Sequence, residues 1–430
     1  MKRRLAGRLN PAKAVTAGLP VLLAILAYSP NPVHADVRED AVKLIEQGVA
    51  EWDKREERKA LAALSRAIGL DPANPLGYYN IGVINITAGR HSDAVDDFGM
   101  AANFSPEGFA DPLINRGVAH VAGDNLEMAI VDYSMAIKIA PGDGDAYYNR
   151  GLAYLRLRNL KRAIATIKVA PMDAGKFDLG DVPTSRMHQL DRAIADFTEA
   201  VKINPGDAGS FRNRGLAYAE YEDYGSAFRD YDRAISLDMR DPLAYFFRGT
   251  AHGRKQDFNR ALVDFDRAIQ FDPTFVEAFN ARGSVLTIVG DLKGALEDFD
   301  RALVLDPRNY DAHNLRGVVR TRMGDIRDAM YDFQRAIDID QTRPEAYNNR
   351  AIAFTDRGDY DQALQDCDRA IQVAPTYAET YMTKAGACEQ VLDQHAAAEA
   401  YRNFVQYASP ETGHQIRLAK ERIKPARAEI

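Results

Sequence analysis

Arginine and aspartate recur at fixed spacing along the chain, and their side chains could carry specific chemistry. Seven arginines occupy one position of a repeating pattern: Arg116, Arg150, Arg214, Arg248, Arg282, Arg316 and Arg350. An aspartate follows sixteen residues after six of them: Asp132, Asp230, Asp264, Asp298, Asp332 and Asp366. A guanidinium binds carboxylates and phosphates through two parallel hydrogen bonds. The row therefore fits either a site for an anionic ligand or a set of internal ion pairs.

The arginine and the aspartate are lost together, which favours internal pairs. Where Lys384 replaces the arginine, Ala400 stands in place of the aspartate. Arg150 lacks an aspartate at the usual spacing, and Asp97 stands without an arginine because Ile81 occupies that position. We predict that each arginine pairs with a carboxylate inside the fold, and we leave the row out of the candidate binding site.

Other residues with catalytic or metal-binding potential are scattered. The sequence contains no glycine-rich phosphate loop, paired-histidine metal motif or nucleophile elbow. His120 and His252 each stand three residues after a repeated glycine, where Tyr154 and Tyr218 stand in other repeats, so we interpret both as core residues. These observations predict a protein that is not an enzyme and that uses no metal or cofactor.

All of these positions belong to a pattern with a period of 34 residues, marked by Gly215, Gly249, Gly283 and Gly317. An alanine follows each glycine after twelve residues, an aromatic residue after sixteen and a second alanine after nineteen. Such a period, with small residues at set positions, is typical of stacked two-helix repeats that bury their apolar faces against each other. The glycine and the first alanine let two helices approach closely, and the aromatic side chain fills the remaining space.

The pattern resembles the tetratricopeptide repeat family. It continues upstream through Gly48, Gly82, Gly117 and Gly151, and downstream with alanine at positions 351 and 385. The resemblance implies an all-α fold, a right-handed α-solenoid of ten stacked helix-turn-helix units within residues 36–411. Residues 412–430 are predicted to supply a polar-faced capping helix at 414–423 and a tail.

The pattern is interrupted between Gly151 and Gly215, which lie 64 residues apart. Residues 160–169 and 190–203 each match the second helix of a unit, and the latter segment supplies Asp196, the carboxylate that Arg150 lacks. Residues 170–188 contain proline and glycine and show no helical period, which predicts a loop. Two interpretations of this segment remain open: a functional loop, or a decayed helix of an eleventh unit. The aspartates of this loop do not have the spacing of a calcium site.

Residues 1–35 have the features of a secretory signal. Five basic residues accompany a mostly apolar stretch at 14–28, and residues 33–35 offer a cleavage site after Ala35. The apolar stretch is short for a membrane span, and no cysteine near the site indicates a lipid anchor. Without this segment the chain has 50 Lys and Arg against 62 Asp and Glu, which disfavours nucleic-acid binding. We expect a periplasmic or secreted protein without a stable membrane anchor.

The resemblance also implies a ligand site, because the first helices of tetratricopeptide repeats line a concave groove. The stripe facing it lies three residues before, one after and four after each glycine. This stripe is apolar or aromatic in the units of Gly82, Gly117 and Gly151, and mostly polar in three later units. Asparagines two residues before the glycine are placed to hydrogen-bond an extended peptide. The predicted peptide-binding groove contains Tyr79, Asn80, Val83, Ile86, Ile114, Asn115, Val118, Val121, Tyr148, Asn149, Leu152, Leu155, Asn213 and Phe246.

These features predict a non-enzymatic scaffold or adaptor of the cell envelope that binds a protein or peptide partner in this groove. The alternatives are a self-assembling structural scaffold of the envelope and a regulatory subunit of an envelope enzyme. The apolar stripe also has a competing explanation, in which the loop with Phe177, Leu179, Val182 and Met187, or the segment after the signal, folds back and covers it.

Cys367 and Cys388 are the two cysteines of the chain. Both fall at core positions of neighbouring helices, so they are predicted to be buried at one interface. Two free thiols are the simpler interpretation, and a disulfide is the alternative in an oxidising compartment.

Overall fold

The computed structural model describes residues 35–106, 109–168, 182–409 and 412–423, so the predicted signal up to residue 34 lies outside the described residues. The described residues form 21 α-helices and no β-strand. The fold is therefore all-α, as the sequence predicts. In the part of the chain that the structure describes, no helix combines the length and apolar character needed to cross a membrane.

Contacts between Cα atoms divide the chain into two compact units. The N-terminal unit contains Lys2–Ala163 and Asp178–Met239, and the C-terminal unit contains Arg240–Ile430 together with Ile164–Phe177, whose helical part is given below with α7. The N-terminal unit has α1 (Ala35–Asp53), α2 (Glu57–Leu70), α3 (Pro75–Thr87), α4 (His91–Phe104), α5 (Asp111–Ala122), α6 (Leu126–Ile139), α7 (Gly144–Lys168), α8 (Val182–Ile203), α9 (Ala208–Glu220) and α10 (Tyr224–Leu237).

The C-terminal unit has α11 (Pro242–Arg254), α12 (Phe258–Phe271), α13 (Val276–Val289), α14 (Leu292–Leu305), α15 (Tyr310–Met323), α16 (Ile326–Ile339), α17 (Pro344–Arg357), α18 (Tyr360–Val373), α19 (Ala378–Gln390), α20 (Gln394–Tyr407) and α21 (Gly413–Ile423). In both units each odd-numbered helix up to α19 packs against the following even-numbered helix, which gives ten hairpins in the described residues. We call the odd-numbered helices of these hairpins first helices and the even-numbered ones second helices.

Each hairpin closes where a glycine or alanine of the first helix meets a side chain of the second helix. A Cβ atom at Gly317 would lie 2.6 Å from Cε1 of Phe333, and one at Gly82 would lie 2.8 Å from Cε1 of Phe98. The rings of Phe333 and Phe98 are fully buried. Since no real Cβ tolerates such a distance, the repeated glycine is required by packing.

The turn inside the hairpins depends on a residue seven positions after the repeated glycine or alanine. This residue has a positive φ in nine hairpins: Arg55, Gly89, Asp124, Glu222, Gln256, Gly290, Gly324, Gly358 and Leu392. A left-handed residue ends a helix, and an aspartate after it commonly caps the next one. Asp291, for example, follows Gly290 and accepts a hydrogen bond from the backbone N–H of Gly294.

The hairpin of α7 and α8 departs from the sequence prediction. Residues 160–168 continue the first helix instead of starting a separate helix, because no left-handed residue interrupts α7 at position 158. Val182 and Met187, which the sequence places in a loop, fall within α8. The loop is therefore shorter than predicted at its C-terminal end, and residues 169–181, including Phe177 and Leu179, lie outside the described residues.

The final helix, α21, lies where the sequence predicts a cap. Ala419 is fully buried in a cluster with Tyr401 and Phe404 of α20, and Ile416 and Ile423 pack against the same cluster. Arg422 also donates a hydrogen bond from Nη1 to Oε1 of Glu389 at 3.0 Å. The helix thus covers apolar side chains of the last hairpin, as the end of a repeat array requires.

Candidate functional site

The repeated arginines form internal ion pairs, which confirms the prediction from the sequence. Nε of Arg282 donates to Oδ2 of Asp298 at 2.9 Å, and Nη2 donates to Oδ1 at 2.6 Å. The same two-point geometry joins Arg116 to Asp132, Arg150 to Asp196, Arg214 to Asp230, Arg248 to Asp264, Arg316 to Asp332 and Arg350 to Asp366. Each pair connects the two helices of one hairpin, so these groups are engaged inside the protein.

The contribution of such a pair to the free energy of unfolding depends on its burial. Burial raises the pKa of the Asp298 carboxyl, while the hydrogen bonds and charge of Arg282 act in the opposite direction. Taking both charges out of water costs about as much as their attraction returns, so the pair adds little compared with apolar residues. Losing one partner is much more costly because an unpaired buried charge remains. The pairs therefore fix the hairpin geometry.

The third guanidinium nitrogen contacts the preceding hairpin, which the sequence analysis did not foresee. Nη1 of Arg282 donates to Oδ1 of Asp266 at 2.6 Å, and Nη1 of Arg316 donates to Oδ1 of Asp300 at 2.7 Å. The acceptor lies sixteen residues before the arginine, and Ser134, Thr198 and Gln334 occupy that position for Arg150, Arg214 and Arg350. Each of these arginines therefore links three helices of two hairpins.

Lys384 shows that the two roles are separable. Its Nζ donates to Oδ1 of Asp368 in the preceding hairpin at 2.6 Å. Within its own hairpin Ala400 replaces the aspartate, so the ion pair with Asp368 remains. The single point charge of a lysine is sufficient for that pair. The arginine and the aspartate therefore occur together in the sequence because they pair within one hairpin. The arginine fork stands where an aspartate of the same hairpin is bound at two points, as Arg116 binds Asp132.

The structure buries much of the predicted groove. Nine of the predicted residues are buried: Tyr79, Ile114, Asn115, Val118, Tyr148, Asn149, Leu155, Asn213 and Phe246. Asn80, Val83, Ile86, Val121 and Leu152 are half-buried. Where the residue three before the glycine is aromatic, it packs on the core ring of its own hairpin, since the Tyr79 and Phe98 rings lie 5.6 Å apart and the Tyr148 and Phe197 rings 6.0 Å apart. Ligand binding by the fourteen residues stays a prediction.

Hydrogen bonds between successive first helices use two of the predicted asparagines. Nδ2 of Asn115 donates to the Tyr79 hydroxyl at 2.8 Å, and Nδ2 of Asn213 donates to the Tyr148 hydroxyl at 3.0 Å. In both cases the residue two before the glycine binds the residue three before the glycine of the preceding hairpin. Asn80 instead donates to the backbone carbonyl of Leu76 at 2.8 Å.

Asn149 is the member of this series that lacks its partner. It is 3% exposed, and its Nδ2 has no hydrogen-bond partner among the described residues. The position opposite it in the preceding first helix holds Ile114, which has no hydroxyl group. An amide left in this state costs about 1–3 kcal/mol, so a bound acceptor would relieve a real penalty. Asn149 is thus the predicted groove asparagine best placed to donate to a ligand.

The C-terminal unit has the same series with different residues. Nδ2 of Asn349 donates to Oδ1 of Asn314 at 3.0 Å, and the Thr383 hydroxyl donates to Oδ1 of Asn348 at 2.9 Å. Asn280 stands at the equivalent position, but Leu315 is its counterpart in the next first helix. Oδ1 of Asn280 consequently has no partner in the described part of the chain, and the side chain is 5% exposed.

Glu277 lies one turn before Asn280 on α13 and is 4% exposed. Its Oε2 has no hydrogen-bond partner in the described ranges. The carboxylate lies in the first turn of α13, where the helix dipole stabilises it by about 0.3–1 kcal/mol. Leaving a buried carboxylate oxygen without a donor costs more than the helix dipole returns, so the dipole does not account for a glutamate here.

An acidic residue at the Glu277 position recurs in the later first helices as Asp311, Glu345 and Glu379. Asp311 is paired, because Nη2 of Arg343 donates to its Oδ1 at 2.8 Å. The guanidinium carbon of Arg343 also lies 3.7 Å from the centroid of the Tyr310 ring. Glu277 and Asp311 therefore occupy the same repeat position, but the arginine partner is seen at Asp311.

The two histidines interpreted as core residues are largely shielded from water. The side chains of His120 and His252 are 13% and 12% exposed. Burial lowers the pKa of both imidazoles, which favours their neutral form at pH 7. Nothing in their geometry joins them to a common site within the described residues.

Cys367 and Cys388 are both buried and both free. Cys367 is fully buried in a cluster with Ala351, Ala363 and Ala387. It takes the place of the aromatic ring found in other hairpins, opposite an alanine instead of a glycine. A disulfide between the two cysteines is therefore not part of this structure.

Comparison with known families agrees with the repeat pattern. A model described as tetratricopeptide repeat matches residues 45–107, 114–178, 185–242, 246–310 and 281–344, and a second model of the same description matches 344–377. The matches cover well over half of the chain, so it belongs to the tetratricopeptide repeat family. Members of this family act as scaffolds for protein interactions and are typically not catalysts.

Individual relatives are more distant. Tetratricopeptide repeat protein 6 of Homo sapiens is 33% identical over 106 residues, which is 25% of this chain and 20% of that protein. This chain thus covers only a fifth of the length of that relative.

Several solved structures are also similar. YrrB, described as having an unusual peptide-binding site, is 24% identical over 44% of this chain and 97% of its own, with a TM-score of 0.37. Yeast Tom70 is 16% identical over 89% and 95%, with a TM-score of 0.42. PilW, described as a type IV pilus biogenesis factor, is 18% identical over 50% and 98%, with a TM-score of 0.45.

Proposed function

We propose that this chain is a non-enzymatic scaffold of the cell envelope that binds a protein or peptide partner along the first helices of its N-terminal unit. The observation that carries the proposal is a row of half-buried apolar side chains next to an unpartnered amide. Val83 and Ile86 of α3, Val121 of α5 and Leu152 of α7 form the row, and Asn149 supplies the amide.

The row and the amide are complementary to an extended polypeptide. Apolar surface left in water costs about 25 cal/mol per Å², so the exposed parts of these side chains favour contact with a partner. The unpartnered N–H of Asn149 supplies a donor for a backbone carbonyl, while the aliphatic neighbours accommodate side chains of the partner. Eight other predicted groove residues are buried, so they offer little surface to a partner.

Location in the envelope rests on the predicted signal. Cleavage after Ala35 would leave α1 almost complete, since that helix begins at Ala35. The resulting protein would be periplasmic or secreted. N-terminal sequencing of the protein from a periplasmic fraction tests this part, with Asp36 as the expected first residue.

Capture of a partner from envelope extract tests the binding face. The mature protein, residues 36–430, serves as bait, and the variant I86S/V121S removes apolar contacts from the face. We expect the amount of captured partner to fall at least about tenfold, while the helical circular dichroism signal is retained. Val118, predicted as a groove residue, is unsuitable for this test because it is buried.

The matched control is V263S, which removes an exposed apolar side chain from a second helix. Retained capture by the control and lost capture by I86S/V121S support the proposal. Equal capture by all three proteins contradicts it. Light scattering during size-exclusion chromatography separates the alternative of a self-assembling scaffold, which would form oligomers without a partner.

A further inference from the structure

Glu277 and Asn280 leave two neighbouring acceptors in the C-terminal unit without a donor. Oε2 of Glu277 and Oδ1 of Asn280 lack hydrogen-bond partners among the described residues, and both side chains are more than nine-tenths buried. Because they lie three residues apart on α13, they share one face of that helix. One acceptor carries a negative charge. A ligand that satisfied both would carry a positive charge and at least two donors.

The chain itself shows what such a ligand looks like one hairpin later. Arg343, which precedes α17, donates to Asp311 of α15, and its guanidinium lies over the Tyr310 ring. Asp311 occupies the same repeat position on α15 that Glu277 occupies on α13. An arginine is therefore the side chain that this fold already uses to pair an acidic residue at this position.

The equivalent arginine is missing for Glu277. Asn309 holds the repeat position of Arg343, and it is uncharged. Its Oδ1 accepts a hydrogen bond from Nδ2 of Asn280 at 3.1 Å, while its own Nδ2 donates to Oδ2 of Asp306 at 3.1 Å. Asn309 therefore holds the Asn280 side chain in place, with Oδ1 of Asn280 left as an acceptor. It contributes no cation to Glu277.

We propose that Glu277 and Asn280 bind the guanidinium of an arginine side chain supplied by a partner polypeptide. The planar guanidinium has donors at fixed angles and can serve a carboxylate and an amide oxygen together, whereas a lysine ammonium is a compact point charge. The inference rests on the proposed function in that the arginine belongs to a bound chain. It adds a chemical requirement for the partner, an arginine, at a place separate in sequence from the apolar row.

Binding of a short peptide tests the site without a known partner. The probe is the blocked pentapeptide Gly-Gly-Arg-Gly-Gly, added to the mature protein and followed by ligand-observed NMR. Control peptides carry citrulline, which keeps the shape and removes the charge, or lysine. We expect the arginine peptide to bind at least about tenfold more tightly than either control, as charge-assisted bonds to two acceptors require.

Substitutions in the protein complete the test. Glu277→Gln is isosteric and should abolish the preference for arginine over citrulline, whereas Glu379→Gln, an exposed acid at the same repeat position of α19, should leave it unchanged. Asn280→Leu should reduce the discrimination between arginine and lysine. A retained preference in Glu277→Gln, or equal binding of the three peptides to the unmodified protein, overturns the proposal. Because the probe has no apolar side chain, its binding is independent of the I86S/V121S result.

Discussion

Arg150 and Asp196 lie 46 residues apart in sequence, yet Arg150 donates to both carboxylate oxygens of Asp196, at 2.9 and 2.7 Å. In six other hairpins the same pair spans 16 residues. The additional residues of this hairpin therefore leave the contact between its two helices unchanged. Gly151 likewise meets Phe197, since a Cβ atom there would lie 2.9 Å from Cε1 of the ring.

The Arg282–Asp298 pair should respond cooperatively to mutation. Arg282→Ala leaves the buried Asp298 carboxylate unpaired, so we expect the free energy of unfolding to fall by about 1–4 kcal/mol. The double variant R282A/D298A should recover part of that loss, because the unpaired charge is gone. Denaturant unfolding of both single variants and the double variant measures the coupling. Strictly additive effects would show that the pair is not a functional unit of the hairpin.

Asp266 tests the contact between hairpins separately. It accepts from Nη1 of Arg282, but its side chain is 60% exposed, so Asp266→Ala should cost only about 0.2–1 kcal/mol. This loss should disappear in 1 M salt, which screens exposed charges over about 3 Å. The loss in Asp298→Ala should persist in the same salt because that carboxylate is buried. Equal salt sensitivity of the two variants would contradict the division into an inner and an outer contact.

The repeat pattern predicts much of this fold because packing acts at fixed spacing. Gly317 and Phe333 fall on the repeated positions, and their contact follows from residue size alone. The burial of Tyr79 is different. Its ring packs on Phe98, and its hydroxyl accepts a hydrogen bond from the next first helix. Helical spacing alone does not show these contacts, so it assigns Tyr79 to the open face.

The candidate sites depend on what stands opposite a residue in the neighbouring hairpin. Asn149 and Asn280 look like other members of their rows in the sequence. They differ because Ile114 and Leu315 are their counterparts, which becomes visible only when residues of successive hairpins are compared in pairs. The extension of α7 does not follow from residue type at the turn, because Arg158 and Asn159 match Arg55 and Asn125, which stand at the same repeat positions in hairpins where the turn forms.

Glycines at different repeat positions should respond in opposite directions to alanine. Gly317→Ala places a Cβ atom 2.6 Å from the Phe333 ring, so we expect a loss of about 1–3 kcal/mol in the free energy of unfolding. Gly386 lies inside α19, where an added Cβ atom would meet no neighbouring segment within 4 Å, and Gly386→Ala should stabilise by about 0.5–1 kcal/mol. Thermal unfolding compares the two. A stabilising Gly317→Ala would refute the packing role of the repeated glycine.

The left-handed turn residues provide a second matched pair. Leu392 has a φ of 62° and is 79% exposed, so Leu392→Gly removes backbone strain without losing buried surface. We expect it to stabilise the protein by up to about 1 kcal/mol, because the relief of strain exceeds the added entropy of glycine. Gly290 has a φ of 93° and no atom near its Cβ position, so Gly290→Ala should destabilise by about 1–2 kcal/mol through conformation alone. Effects of the same sign in both variants would exclude this explanation.

Cys367 and Cys388 should titrate as two free thiols in the denatured protein. Burial raises the pKa of the Cys367 thiol to about 12 and also raises that of Cys388, so little thiolate forms at pH 8 in the native state. A thiol reagent should therefore react with the native protein at least about a hundredfold more slowly than with the unfolded protein. The decisive measurement uses protein purified from the periplasm, denatured without reductant, with a reduced sample as the control for two thiols. Absence of reactive thiols before reduction would mean that the protein carries a disulfide, and that α18 and α19 approach each other more closely around these residues than in this structure.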